Sequence, residues 1–119
     1  MNYMLLIYLD EQAPQMDEAG AKKCGGLAER LGASGHWIAG GILQPTPTAT
    51  SLRVRQGRRL VTDGPFAETR EQLAGYMLIE AKDLDEALEI ASQHPVAEFG
   101  TVEVRPLREI PVVEVAGRS

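Results

Sequence analysis

Cysteine is almost missing from this chain. Cys24 stands alone among 119 residues, so no internal disulfide can close and nothing asks for an oxidising compartment. Positive charge is also scarce: 12 Lys+Arg face 17 Asp+Glu, a formal net charge of -5. Proteins that hold nucleic acid draw most of their affinity from neutralising phosphates and carry the opposite balance, so no direct nucleic-acid partner is expected. Apolar runs are short. Met1 to Leu9 is apolar but stops at Asp10-Glu11, and it has neither a basic leader nor a small-residue cleavage site. It reads as a strand; no membrane contact is expected, and the cytoplasm is the expected compartment. Histidine occurs only at positions 36 and 94, and no His, Cys or Asp spacing fits a zinc or iron site. Gly25-Gly26 and Gly40-Gly41 lack the spacing and context of a phosphate or dinucleotide loop. No metal and no cofactor is expected.

What remains is an ordinary globular composition, 44% hydrophobic and 24% charged, in a length that suits one domain over 1–119 with 107–119 as a C-terminal extension. Tyr3 to Leu9 is apolar on both alternating faces, so the strand must be covered on both sides. Cys24, Leu27, Ala28 and Leu31 make one stripe of an amphipathic helix over about Asp17 to Leu31, closed by Gly32 and Gly35. His36 to Leu43 is extended again, and Gly40-Gly41 suggests a bulge or a close backbone approach. Thr50 to Arg55 and Arg58 to Thr62 form a hairpin about Gln56-Gly57. Gly75 to Ala81 is a strand with two apolar faces. Asp83 to Glu86 opens a second helix with a near capping box and a buried stripe of Leu84, Ala87, Leu88 and Ala91, ended by Pro95. Thr101 to Arg105 is the last core strand, and Ile110 to Val115 is an extended apolar tail. Setting the hairpin aside, the order is β-α-β-β-α-β, the α+β arrangement of ferredoxin-like folds. Right-handed crossovers put both helices on one sheet face. The surplus apolar residues on the other face predict a symmetric homodimer of two facing sheets.

Chemistry concentrates in Asp63-Gly64-Pro65-Phe66-Ala67-Glu68-Thr69-Arg70-Glu71-Gln72-Leu73, a tight turn followed by ionisable side chains. Asp63 either makes an Asx-type turn or faces a cleft as an acid or base. Phe66 fills the core or lines a pocket wall. Glu68, Arg70 and Glu71 form an exposed ion-pair network or border a ligand. Tyr76 and Glu80 share a strand face; against a partner sheet, Glu80 becomes a partly buried carboxylate able to act as a base. His94, at a helix C-terminus, is either held as a cation by the helix dipole, an effect of about 0.3–1 kcal/mol, or pairs with Asp63 as base and orienter. His36 lies at a strand entry, exposed or on a pocket rim. Cys24 reads as a core position. Arg53, Arg55, Arg58 and Arg59 cluster on the hairpin as a solvated face or as a surface for an acidic partner or nucleic acid.

The stretch from Asp63 to Tyr76, with Leu60-Val61-Thr62 before it and Phe99-Gly100-Thr101-Val102-Glu103-Val104-Arg105-Pro106 near the end, resembles the signature of the DGPF-domain branch of YCII-related proteins. The resemblance spans Tyr3 to about Pro106. It implies a dimeric α+β barrel of ferredoxin-like protomers and leaves the reaction open. Some YCII-type proteins are thought to use a His-Asp pair, and one relative acts as a dehydrochlorinase on a hydroxylated aromatic. In that branch the His lies on the first helix and the Asp precedes a Pro before the last strand; here the first helix offers Lys22, Lys23 and Cys24, and His94 precedes Pro95. The DGPF branch is also associated with extracytoplasmic-function sigma factors. Two functions are therefore expected. One is a small enzyme doing acid-base chemistry on a small polar or aromatic molecule, with Asp63 and His94 as catalytic residues and His36, Gly64, Pro65, Phe66, Glu68, Tyr76 and Glu80 around the pocket. The other is a non-catalytic interaction module for a sigma factor, using the arginine hairpin and the tail.

Overall fold

A computed structural model describes residues 1–13 and 17–109. Its elements run β1 (Asn2–Leu9), α1 (Glu18–Ala33), β2 (Trp37–Ile42), β3 (Thr50–Arg55), β4 (Arg58–Asp63), β5 (Gln72–Glu80), α2 (Leu84–Ser92) and β6 (Thr101–Pro106). Short 3-10 turns lie at Thr46–Thr48 and Pro95–Glu98. The main sheet has the order β2-β5-β1-β6 and is antiparallel throughout, while β3 and β4 pair only with each other. Without the hairpin this is the split β-α-β-β-α-β arrangement expected from the element order. The apolar tail from Ile110 to Val115 lies outside the described residues.

β1 sits inside the sheet because it is apolar on both faces and can pair on both edges. Leu5 stands opposite Met77 on β5 and Val104 on β6, and Ile7 opposite Gly75 and Val102. Tyr3, Leu5 and Ile7 point toward the helices and join Leu27, Leu31, Met77, Ile79, Ala87, Ile90 and Val96 in one core. The helices cover this face alone, as right-handed crossovers require. On the other face Met4, Leu6, Tyr8, Tyr76 and Leu78 are half-buried, and the Tyr8 hydroxyl donates to Glu103 at 3.3 Å.

Local signals set the helix ends. Asp17 caps α1 by accepting from the Gly20 N–H at 2.8 Å, and Gly35, at φ 81°, takes the left-handed conformation just beyond it. Asp83 caps α2 through the Glu86 N–H at 2.9 Å, while the Glu86 carboxylate accepts from the Lys82 N–H at 3.0 Å. The expected stripe of α2 needs correcting. Ala87, Ile90 and Ala91 are buried, whereas Leu84 and Leu88 are each 49% exposed. Both sets obey helical periodicity; in a helix of two and a half turns, tertiary packing chooses between neighbouring stripes.

The glycines of β2 follow the second of the two alternatives expected of them. The irregularity in β2 lies between Trp37 and Ala39, not at Gly40-Gly41. A Cβ on Gly40 would run into the Trp37 ring, and one on Gly75 would stand 2.9 Å from the Gly41 carbonyl oxygen. These are close approaches, as the alternative reading held. In the hairpin, Gln56 and Gly57 have φ of 52° and 74°, the two positive values of a type I′ turn.

Leu5 is fully buried on the central strand. Leu5→Ala is expected to destabilise the fold by about 2–5 kcal/mol, measured as a shift of the urea midpoint with an unchanged slope.

Candidate functional site

A cavity of about 370 Å³ opens between α1, the β2-β5 side of the sheet and the Pro95–Glu98 turn. It exists because the surfaces that face each other are short of side-chain volume. Helix α1 contributes Ala21, Cys24, Gly25 and Ala28, and the strands contribute Gly40, Gly41, Ala74 and Gly75. Trp37, Ile7, Leu9, Ile42 and Met77 supply apolar bulk around them. Among the described residues no Lys, Arg, Asp or Glu lines the space.

One imidazole reaches this apolar volume. The chain leaves α2, Pro95 fixes the backbone for a 3-10 turn, and His94 caps that turn, its Nδ1 accepting from the Val96 N–H at 3.1 Å. Gly100 lets the turn lie tight against β1, since a Cβ there would collide with the Tyr8 carbonyl oxygen and Val96. His94 is thereby 7% exposed. A backbone N–H can only donate, so Nδ1 carries the lone pair and the neutral ring's proton sits on Nε2, assigned by donor logic. Nε2 lies 3.8 Å from Cys24 Sγ. Burial holds the imidazole below its ordinary range and pushes the Cys24 thiol up, so both groups are neutral near pH 7. The expectation of a dipole-stabilised His94 cation is thus overturned: the ring is buried, and protonating Nδ1 would set it against the Val96 N–H.

The residues expected to form one site are distributed. His94 and Tyr76 border the cavity; the Tyr76 ring itself lies over Gly41 on the helix-free side of the sheet. Asp63 is exposed at the end of β4, opposite Thr50, and makes no hydrogen bond to His94. That expected pair fails because β4 belongs to the separate hairpin. Gly64 (φ 101°) closes the root of the hairpin instead: its N–H donates to the Ala49 carbonyl at 2.7 Å and its carbonyl accepts from Ser51 Oγ at 2.8 Å. Pro65 follows it, half-buried. Phe66, expected in the core or a pocket wall, is 76% exposed and carries only the Arg53 guanidinium, 4.9 Å above the ring. The ionic network at 68–71 does not form within itself. Arg70 reaches Asp10 at 3.4 Å, Glu71 accepts from Thr101 Oγ1 at 2.8 Å, and Glu68 is exposed. Glu80 is on the water side, 2.7 Å from the Met1 amine.

His36 lies in a second cleft of about 330 Å³ with Arg30, Ser34, Glu86 and Glu89. Its ring meets Ser34 Oγ at 2.7 Å through Nδ1 and Glu86 Oε1 at 3.2 Å through Nε2. The Lys82 backbone N–H, aided by His36, holds the Glu86 carboxyl below its usual range. The Ser34 hydroxyl also donates to the Leu31 carbonyl at 3.2 Å, which marks the cluster as a helix terminator. Among the described residues no group of three His, Cys, Asp or Glu comes together as a metal site, and no helix is long and apolar enough to cross a membrane. Sequence reasoning missed Cys24 and Trp37 as site residues. The available signal was the matching run of small residues on α1 and on β2-β5, which predicts a void once the two are known to face each other.

The chain belongs to the YCII-related family, whose domain model matches residues 1–111. It is 38% identical over 114 residues to an uncharacterized protein of Rhizobium meliloti (strain 1021), covering 90% of this chain and 92% of that one. In fold it is similar to the 5-chloro-2-hydroxyhydroquinone dehydrochlorinase of Burkholderia phenoliruptrix AC1100, solved in complex with 2,5-dihydroxybenzoquinone. The TM-score is 0.56 at 14% identity, over 91% of this chain and 94% of that one.

The buried neutral His94 has a consequence for stability. Its folded pKa is lowered, so below the unfolded value of about 6.5 the unfolded chain binds a proton that the folded chain refuses. This contribution is intact above that pH and is lost as pH falls toward the folded pKa, at up to about 1.4 kcal/mol per pH unit. His94→Asn retains an acceptor for the Val96 N–H and does not titrate. Paired urea titrations from pH 7.5 to 5 should show the wild type losing more stability than the variant.

Proposed function

We propose that this YCII-related chain binds a small, uncharged ring compound in the α1-β2-β5 cavity and polarises a carbonyl or similar acceptor on it, with His94 as the hydrogen-bond donor. The observation that carries this reading is His94 on the wall of an apolar space, its Nδ1 occupied by the Val96 N–H and its Nε2–H set against a weak acceptor, Cys24 Sγ at 3.8 Å. A neutral imidazole so fixed is a hydrogen-bond donor toward a carbonyl or similar acceptor, and a poor base. Enzymes use neutral imidazoles in this way to polarise carbonyls. Donors aimed at developing charge in a dry site are typically worth about 10²–10³ in rate. Cys24, beside the same nitrogen, is the second group able to exchange a proton. The absence of charged lining residues disfavours phosphates and carboxylates, because an unpaired anion in such a space is costly. The volume lies in the range of small-ligand pockets, about 300–1,000 Å³. The fold shared with an enzyme that acts on a hydroxylated ring supports the same class of ligand.

We further propose that the chain works as a homodimer. The half-buried apolar residues Met4, Leu6, Tyr8, Tyr76 and Leu78 on the helix-free face are the surface through which two sheets would meet in a barrel.

A thermal-shift panel of single-ring quinones and hydroxylated aromatic ketones, set against matched benzoates and phosphate esters, tests the ligand class. A neutral ring compound at about 100 times its dissociation constant should add roughly 2.7 kcal/mol. Gly25→Leu, at a helical site where a Cβ meets nothing within 4 Å, should remain folded and lose the shift. His94→Asn should weaken binding about tenfold, the loss of one net hydrogen bond. Stabilisation by the anions alone, or full binding by Gly25→Leu, would sink the reading.

A further inference from the structure

The hairpin β3-β4 is built unlike the rest of the molecule. It makes no ladder bond to the main sheet, and all of its strand residues except Ser51 are exposed. A two-stranded hairpin alone is marginally stable in water. This one nevertheless carries Leu52, Val54 and Val61 on one face, at 57%, 55% and 58% exposure; Leu52 stands directly opposite Val61. Six residues of strand project about 20 Å. The radius of gyration is 16.6 Å, against about 13.5 Å for a compact chain of this length.

Charge identifies what such an arm fits. Residues 50–63 contain four arginines and one aspartate, so the chain's net -5 divides into +3 on the arm and -8 elsewhere. None of the four arginines forms a salt bridge with a carboxylate among the described residues. Arg53 covers Phe66 and Arg55 donates to its neighbour's carbonyl at 3.0 Å. A cationic arm with an apolar face, rooted in an acid-rich body, complements the body of another copy. Two-fold symmetry lets each copy give an arm and receive one.

We propose that β3-β4 is an exchange arm that clasps a second copy of this chain. Leu52, Val54 and Val61 lie against the partner's body with Arg59, which shares their face opposite Val54, toward its carboxylates, while Arg55 and Arg58, paired at the tip on the other face, reach carboxylates at the rim of the contact. The arm adds to the homodimer reading above and rests on it: facing sheets supply one contact, and the arms supply a second that spans the outside of the pair. Its root, closed by Gly64 on Ala49 and Ser51, sets the direction in which the arm leaves the body, which gives the Asp63-Gly64-Pro65-Phe66 motif an assembly role.

Sedimentation equilibrium on the full chain tests it, with wild type, Leu52→Glu/Val61→Glu, Arg58→Gln/Arg59→Gln and the sheet-face variant Leu6→Glu. Wild type should be a dimer at micromolar concentration. Leu52→Glu/Val61→Glu should raise the dimer dissociation constant at least 100-fold while the far-UV spectrum keeps its helices. The arginine variant should raise it about tenfold and flatten its dependence on salt between 0.05 and 0.5 M, as expected for screened charge pairs. A dimer in which both arm variants match wild type, while Leu6→Glu dissociates it, overturns the arm and leaves the facing sheets. A monomeric wild type overturns both.

Discussion

Strand β1 is hydrogen-bonded along both edges, and the rest of the structure depends on that double pairing. It fixes β5 and β6 in register on either side, and β5 in turn carries β2. Because the crossovers are right-handed, both helices must then cover the Tyr3-Leu5-Ile7 face. Two glycines allow close backbone-to-backbone approaches here: Gly75 beneath the Gly41 carbonyl and Gly100 beneath the Tyr8 carbonyl. The first draws β2 against β5 at the cavity floor. The second presses the His94-Pro95 turn onto β1 and so brings the imidazole to the cavity wall.

The site is consequently defined by what is missing from it. Small residues on α1 face small residues on β2 and β5, so packing leaves a space where most cores interdigitate. With no formal charge among the described residues of its lining, the space favours neutral forms of the groups that enter it. The Val96 N–H does more than cap a turn. By occupying Nδ1 it selects the tautomer, and the tautomer makes His94 a donor. A histidine of the same burial without that bond could serve as a base.

The molecule also separates its charge from its reach. The body holds the surplus of carboxylates, while the hairpin holds a third of the chain's twelve cations. Between them stands Gly64, whose φ of 101° and two hydrogen bonds to the opposite strand lock the hairpin root. The ionisable residues that follow mainly anchor the connection, through Arg70 to Asp10 and Glu71 to Thr101. Exposed contacts of this kind are worth about 0–1 kcal/mol each. They hold a loop in place.

The sequence by itself determined the elements and their order. The two-faced pattern of Tyr3 to Leu9, the Asp17 and Asp83 caps and the Gln56-Gly57 turn are local signals, each set by a few neighbouring residues. The family motif was equally legible as a string. Its meaning was not: Asp63 and Phe66 looked like site residues because they combine reactive or aromatic side chains with a tight turn, yet the turn belongs to a hairpin outside the main sheet. Only the tertiary structure decided that Ile90, not Leu88, faces the core, that Cys24 and Trp37 border a cavity, and that His94 is neutral. Each of those outcomes depends on what approaches from a distant part of the chain, and periodicity within one segment carries no record of the surface that it will meet.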